Sequence, residues 1–109
     1  MRVAVMGAGS WGSVFSMILS DAGCDVSLWA RSSAVADDIN TSHINHAYFP
    51  DLILPKNVVA TTNADHALTD ADLVVLAMPA QTLRGNLSNW CTSIPSEAVL
   101  VSLMKGVEL

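Results

Sequence analysis

A chain of 109 residues, 51% hydrophobic and 14% charged, has room for one buried core and little more. Five Lys and Arg stand against ten Asp and Glu, a formal net charge of −5, so the clustered basic surface needed for nucleic acid or an anionic membrane is missing. Cys24 and Cys91 stand alone, with no CxxC or HExxH spacing; they read as free, small apolar residues, and a metal site has no support.

The first predicted strand is the apolar run Arg2-Val3-Ala4-Val5-Met6, which leads straight into Gly7-Ala8-Gly9-Ser10-Trp11-Gly12. From Ser10 to Ala22, Val14, Phe15, Ile18 and Leu19 fall at helical spacing, and Ala22-Gly23 supplies the stop. A strand, a glycine-rich turn and a helix, in that order, are what the pyrophosphate of a dinucleotide requires. Gly7 makes the tight turn, Gly9 lets the backbone approach the phosphates, and Gly12 lets the helix pack close on the strand. Ser10 and Trp11 then occupy the first helical turn, where N–H groups and the helix dipole favour an anion. The uncharged run from 3 to 20 superficially resembles a leader or a membrane span, but its glycines and serines argue for strand, turn and helix instead. A cytoplasmic protein is the expectation.

Cys24 to Ala30 alternates as a second strand, and a short helix follows from Ser32 to Ile39 with Ser32 or Ser33 as its N-cap. An NAD-binding domain ends this strand in Asp or Glu, which holds the ribose 2′-OH. Here it ends in Ala30-Arg31-Ser32, which places Arg31 and Ser32 at the ribose end of the cofactor. A carboxylate would repel a 2′-phosphate, whereas an arginine pairs with one and stacks on adenine. NADP(H) is therefore favoured, with NAD(H) still open; the bland alternative is a solvated Arg31.

Thr41 to Asn57 is the least regular stretch, punctuated by Pro50 and Pro55 and carrying His43, Asn45, His46 and Tyr48. A loop of that length inside a small domain is usually functional or partly disordered. His43, His46 and His66 show no partner pattern and are assigned no role. Val58 to Thr62 reads as a strand, and Asn63 or Asp65 caps a short helix through Leu68. Leu73 to Met78 is the clearest strand of the chain, ended by Pro79. Gln81 to Ile94 is helix-patterned, Pro95-Ser96 breaks it, and Ala98 to Leu103 is the last strand, before Met104-Lys105-Gly106-Val107-Glu108-Leu109. Trp29 and Trp90 read as core. This alternation predicts an α/β fold: a Rossmann-type, doubly wound parallel sheet with helices on both faces. Ligands of such a sheet sit beyond the carboxyl ends of its strands, where Lys105, one of two lysines, could face a phosphate or polarise a carbonyl. A surface lysine is the competing reading.

Several segments together resemble one family. Gly7 to Gly12, Leu28-Trp29-Ala30-Arg31, Asn45-His46-Ala47-Tyr48-Phe49-Pro50, Leu54-Pro55, Ala60-Thr61-Thr62 and Met104-Lys105-Gly106-Val107-Glu108 occur in the order seen in the bacterial, NAD(P)-dependent glycerol-3-phosphate dehydrogenases. The resemblance spans essentially the whole chain. It implies interconversion of dihydroxyacetone phosphate and sn-glycerol 3-phosphate, a precursor of phospholipids. It also implies that Ser10, Trp11, Arg31 and Tyr48 contact the cofactor. Lys105 would touch both the nicotinamide side and the substrate, where a cation offsets the charge that grows on a carbonyl accepting hydride.

Such enzymes carry their general-acid lysine and most phosphate-binding groups in a later helical domain. Residues 1–109 are thus expected to form an N-terminal NAD(P)-binding domain, without catalytic residues of its own and inactive alone. A homodimer is compatible with the full-length enzyme. Two other readings stand beside this one: a hydroxyacid- or ketopantoate-type reductase, and a non-catalytic NAD(P)H-sensing module.

Overall fold

The computed structural model describes residues 1–78, 90 and 92–102. In chain order they form β1 (Arg2–Met6), α1 (Ser10–Asp21), β2 (Asp25–Trp29), α2 (Ser33–Ser42), β3 (Ile44–Asn45), β4 (Phe49–Ile53), β5 (Val58–Thr61), α3 (Ala64–Leu68), β6 (Leu73–Leu76) and β7 (Val99–Ser102). Five strands pair in parallel in the order β5-β2-β1-β6-β7. The order reverses between β1 and β6, and a crevice opens at that point beyond the strand ends.

Burial explains the central strand. Val3, Ala4, Val5 and Met6 of β1 are all buried, because helices cover the sheet on both faces. On one face Val3, Val5, Val26, Leu28 and Val75 pack with Ala36 and Ile39 of α2 and with Met17 and Leu19 of α1. On the other, Ala4, Met6, Val74 and Leu76 pack with Ala67 and Leu68 of α3 and with Trp90. The expected two-sided sheet is therefore present. Most of the helix expected over Gln81 to Ile94 lies outside the described residues. Among the described residues no helix is long and apolar enough to cross a membrane.

Helix α1 departs from the expectation in part: Leu19 packs on the core, but the positions buried most deeply are not the apolar ones. Its fully buried residues are Gly12, Ser13, Ser16 and Ser20, whereas Ile18 is half exposed. Gly12 brings the helix so close to the turn before it that only small side chains fit beneath. The serines satisfy their hydroxyls locally: Ser13 donates to the Gly9 carbonyl at 2.9 Å and Ser16 to that of Gly12 at 2.7 Å. At its end the Gly23 N–H reaches the Ser20 carbonyl and the Cys24 N–H that of Leu19, with Gly23 at φ +95°. That is a Schellman motif, and it puts the stop at Ala22-Gly23 as expected.

The stretch from Thr41 to Asn57 is more ordered than its sequence suggests. Helix α2 continues to Ser42 and closes on His43 at φ 60°. Strands β3 and β4 then pair antiparallel, with an irregularity between Ile44 and Asn45. Two residues are too few to display a period, and Pro50 breaks the alternation of β4, so neither strand left a readable pattern. Helix α3 begins as expected, with the Asn63 side chain accepting from the His66 N–H at 3.1 Å.

Candidate functional site

A cleft of about 320 Å³ lies at the carboxyl ends of β1, β2 and β6, where the strand order reverses. Its floor is the glycine turn Gly7-Ala8-Gly9 together with Ala77 and Met78. Trp29, Ala30, Arg31 and Ser32 form the wall beyond β2, joined by Val35 of α2 and Tyr48 of the β3–β4 hairpin.

The three glycines play separate parts. Gly7 has φ +129°, and a Cβ there would run into the Ala77 carbonyl. At Gly12 a Cβ would overlap the Gly7 carbonyl oxygen, so this glycine sets how closely α1 approaches the turn. Gly9 differs, since a Cβ on it would meet nothing of the described residues within 4 Å. Among the described residues, open space therefore lies beside the second glycine, as the approach of a pyrophosphate requires. Gly9 is also the N-cap of α1, and among the described residues no side chain caps that end. The first amides of the helix lack intrahelical acceptors and remain available to an anion.

The hairpin holds the turn from outside. Asn45, 1% exposed, donates through Nδ2 to the Ala8 carbonyl at 2.7 Å and to the Ser13 hydroxyl at 3.0 Å. The Ser10 hydroxyl donates to the Tyr48 carbonyl at 3.0 Å. Asp38 of α2 latches the hairpin in turn. It accepts from the His46 backbone N–H at 2.9 Å and meets the His46 imidazole at 2.9 Å. These bonds, the backbone donor first, then the imidazole and the Ser42 hydroxyl, hold the Asp38 carboxyl below the usual aspartate range.

Of the residues singled out from the sequence, Gly7, Gly9, Arg31, Ser32 and Tyr48 line the cleft. Ser10 and Trp11 stand at the start of α1 beside it, and Trp11 is exposed. Gly12 is buried beneath the turn. Lys105 lies outside the described residues. Arg31 is the one charged side chain among the lining residues and has no carboxylate partner among those described. Ser32 is the N-cap residue of α2 but makes no side-chain capping bond.

Trp29 is core, as expected. It packs edge-on against Trp90, with ring centroids 4.9 Å apart, and donates from Nε1 to the Thr62 carbonyl at 3.0 Å. It also lines the cleft. The role of Asn45 was not readable from its place in an irregular segment; a polar residue flanked by Ile44 and His46 gave no sign of burial. Among the described residues no group of His, Cys, Asp and Glu is arranged to hold a metal.

Strand order, glycine turn and crevice together define a Rossmann-type domain. The chain belongs to the family described as "NAD-dependent glycerol-3-phosphate dehydrogenase N-terminus", whose model it matches over residues 2–109. It is 56% identical over 108 residues to glycerol-3-phosphate dehydrogenase [NAD(P)+] from Corynebacterium diphtheriae, a match covering 99% of this chain and 33% of that protein. The crystal structure of glycerol-3-phosphate dehydrogenase from Coxiella burnetii superposes with a TM-score of 0.86 at 22% identity, over 93% of this chain and 31% of that one. The same fold recurs in a ketopantoate reductase from Ralstonia eutropha, with a TM-score of 0.76 at 23% identity, over 92% of this chain and 33% of that one. The chain spans about a third of the length of the curated relatives it matches.

Proposed function

We propose that this chain is the NAD(P)-binding domain of an enzyme that interconverts dihydroxyacetone phosphate and sn-glycerol 3-phosphate. The observation that carries the proposal is the first turn of α1, uncapped among the described residues and facing space they leave open at Gly9, with Arg31 lining the same cleft. An anionic pyrophosphate fits the amides of Gly9, Ser10, Trp11 and Gly12. The adenosine end lies toward Arg31 and Ser32, and Tyr48 closes the rim. Arg31 offers a planar, bidentate cation where a carboxylate would exclude a 2′-phosphate, which favours NADP(H) over NAD(H).

The bound nicotinamide would supply or accept hydride. Lys105 is the cation assigned to the nicotinamide side and to the substrate oxygen on which charge develops. The glycine turn and the hairpin hold the cofactor, while Trp29, backed by Trp90, supplies an apolar part of the wall. Phospholipid precursor synthesis and a cytoplasmic setting follow from this reading. The reductase and sensor alternatives lose ground to the family match, which covers residues 2–109.

Calorimetric titration with NADPH, NADH and ADP-ribose tests the proposal. NADPH should bind most tightly and ADP-ribose measurably. If none of the three binds, the assignment of the glycine turn is wrong; if NADH outcompetes NADPH, the role given to Arg31 is wrong.

A further inference from the structure

We infer that Asn45 is a positioning residue for the glycine turn, one that directly, and with Ser13, aims two successive backbone amides into the cleft. The inference rests on the proposed reading of that turn as the pyrophosphate site. The orientation of the Asn45 side chain follows from its neighbours' chemistry. The Ala8 carbonyl can only accept, and the Ser13 hydroxyl already gives its hydrogen to the Gly9 carbonyl at 2.9 Å. Only the NH2 group of Asn45 can face both. Its own Oδ1 is buried with no hydrogen-bond partner among the described residues. An unpartnered buried carbonyl disfavours the fold, so this asparagine is a poor choice for stability alone.

What Asn45 accomplishes is visible in the geometry of the peptide. In a planar trans peptide the C=O and the following N–H point in opposite directions. Tying the Ala8 carbonyl back toward the hairpin therefore turns the Gly9 N–H the other way. The next peptide repeats the arrangement. The Gly9 carbonyl accepts from the Ser13 N–H at 3.0 Å and from the Ser13 hydroxyl, which leaves the Ser10 N–H directed out of the helix. Two adjacent amides so presented form a concave anion site. Without the Asn45 donor the Ala8 carbonyl is free to turn outward, and an oxygen there repels a phosphate.

The test compares three ligands on the full chain. NADPH and ADP-ribose carry a pyrophosphate, whereas adenosine 2′-phosphate reaches only the Arg31 end. Asn45→Ala should weaken the first two about tenfold and leave the third unchanged. Ser13→Ala keeps the Asn45–Ala8 bond and decides the matter if Asn45→Ala does not fold; it should give a smaller loss with the same selectivity. Equal losses for all three ligands, or no loss for any, would show Asn45 to be merely structural and overturn the inference. If the unaltered chain binds adenosine 2′-phosphate but not ADP-ribose, the pyrophosphate reading itself falls, and the inference with it.

Discussion

At the scale of single residues, the three glycines make opposite demands. A methyl group at Gly12 would collide with the Gly7 carbonyl, which is backbone and cannot yield without moving α1. Gly12→Ala should therefore lower stability by about 2 kcal/mol, read as a drop in denaturation midpoint, and cost binding as well. Gly9→Ala adds a methyl that meets no atom of the described residues within 4 Å. It should hold stability to within about 1 kcal/mol yet lose dinucleotide affinity, because its methyl occupies the ligand's space. If both variants behave alike in the two measurements, the division of labour drawn here is wrong. At Arg31, replacement by Ala should weaken NADPH about tenfold or more and NADH far less, since only NADPH carries the 2′-phosphate. Equal losses would remove that role. The sequence displayed all four of these residues, because glycine spacing and a cation after a strand are local signals. Asn45 was hidden because its importance comes from a bond to a residue 37 positions away.

At the scale of elements, the β3–β4 hairpin acts as a brace for α1. One of its ties to α2 is the Asp38–His46 latch, whose strength depends on the carboxylate charge. The Asp38 pKa is lowered in the folded chain, chiefly by the His46 backbone N–H. A depressed carboxyl pKa contributes stability that is complete above the ordinary aspartate value, about 4, and is lost as pH falls through the lower folded value. The protection of the His46 amide against hydrogen exchange should thus be retained above the ordinary aspartate value and fall away as pH drops below about 4. Asp38→Ala should lack that protection at every pH. Protection indifferent to both would mean the latch does not hold the hairpin.

Element boundaries show what a linear pattern can and cannot disclose. Parallel strands buried on both faces are continuous aliphatic runs, and β1 and β6 were legible for that reason. Helix α1 was legible as a helix and Leu19 packs on the core, but the apolar spacing of Val14, Phe15, Ile18 and Leu19 did not mark the most deeply buried positions. The close approach at Gly12 decided instead for Ser13 and Ser16.

At the scale of the whole molecule, the cleft joins pieces from β1, β2, β6, α1, α2 and the hairpin, so its occupant should stabilise them together. A ligand at one hundred times its dissociation constant contributes about 2.7 kcal/mol. Saturating NADPH should raise the midpoint of thermal unfolding by roughly 10 °C, as should ADP-ribose at the same multiple of its own constant. No shift with either would sink the assignment of the cleft.

By itself the sequence determined the alternation of strands and helices, the glycine turn and the cation after β2. Each is written in neighbouring residues, through periodicity, backbone freedom or charge. The tertiary structure decided which face α1 buries, where the hairpin sits, and that Asn45 reaches the Ala8 carbonyl. Those outcomes depend on distances between segments far apart in the chain, and close packing sets such distances.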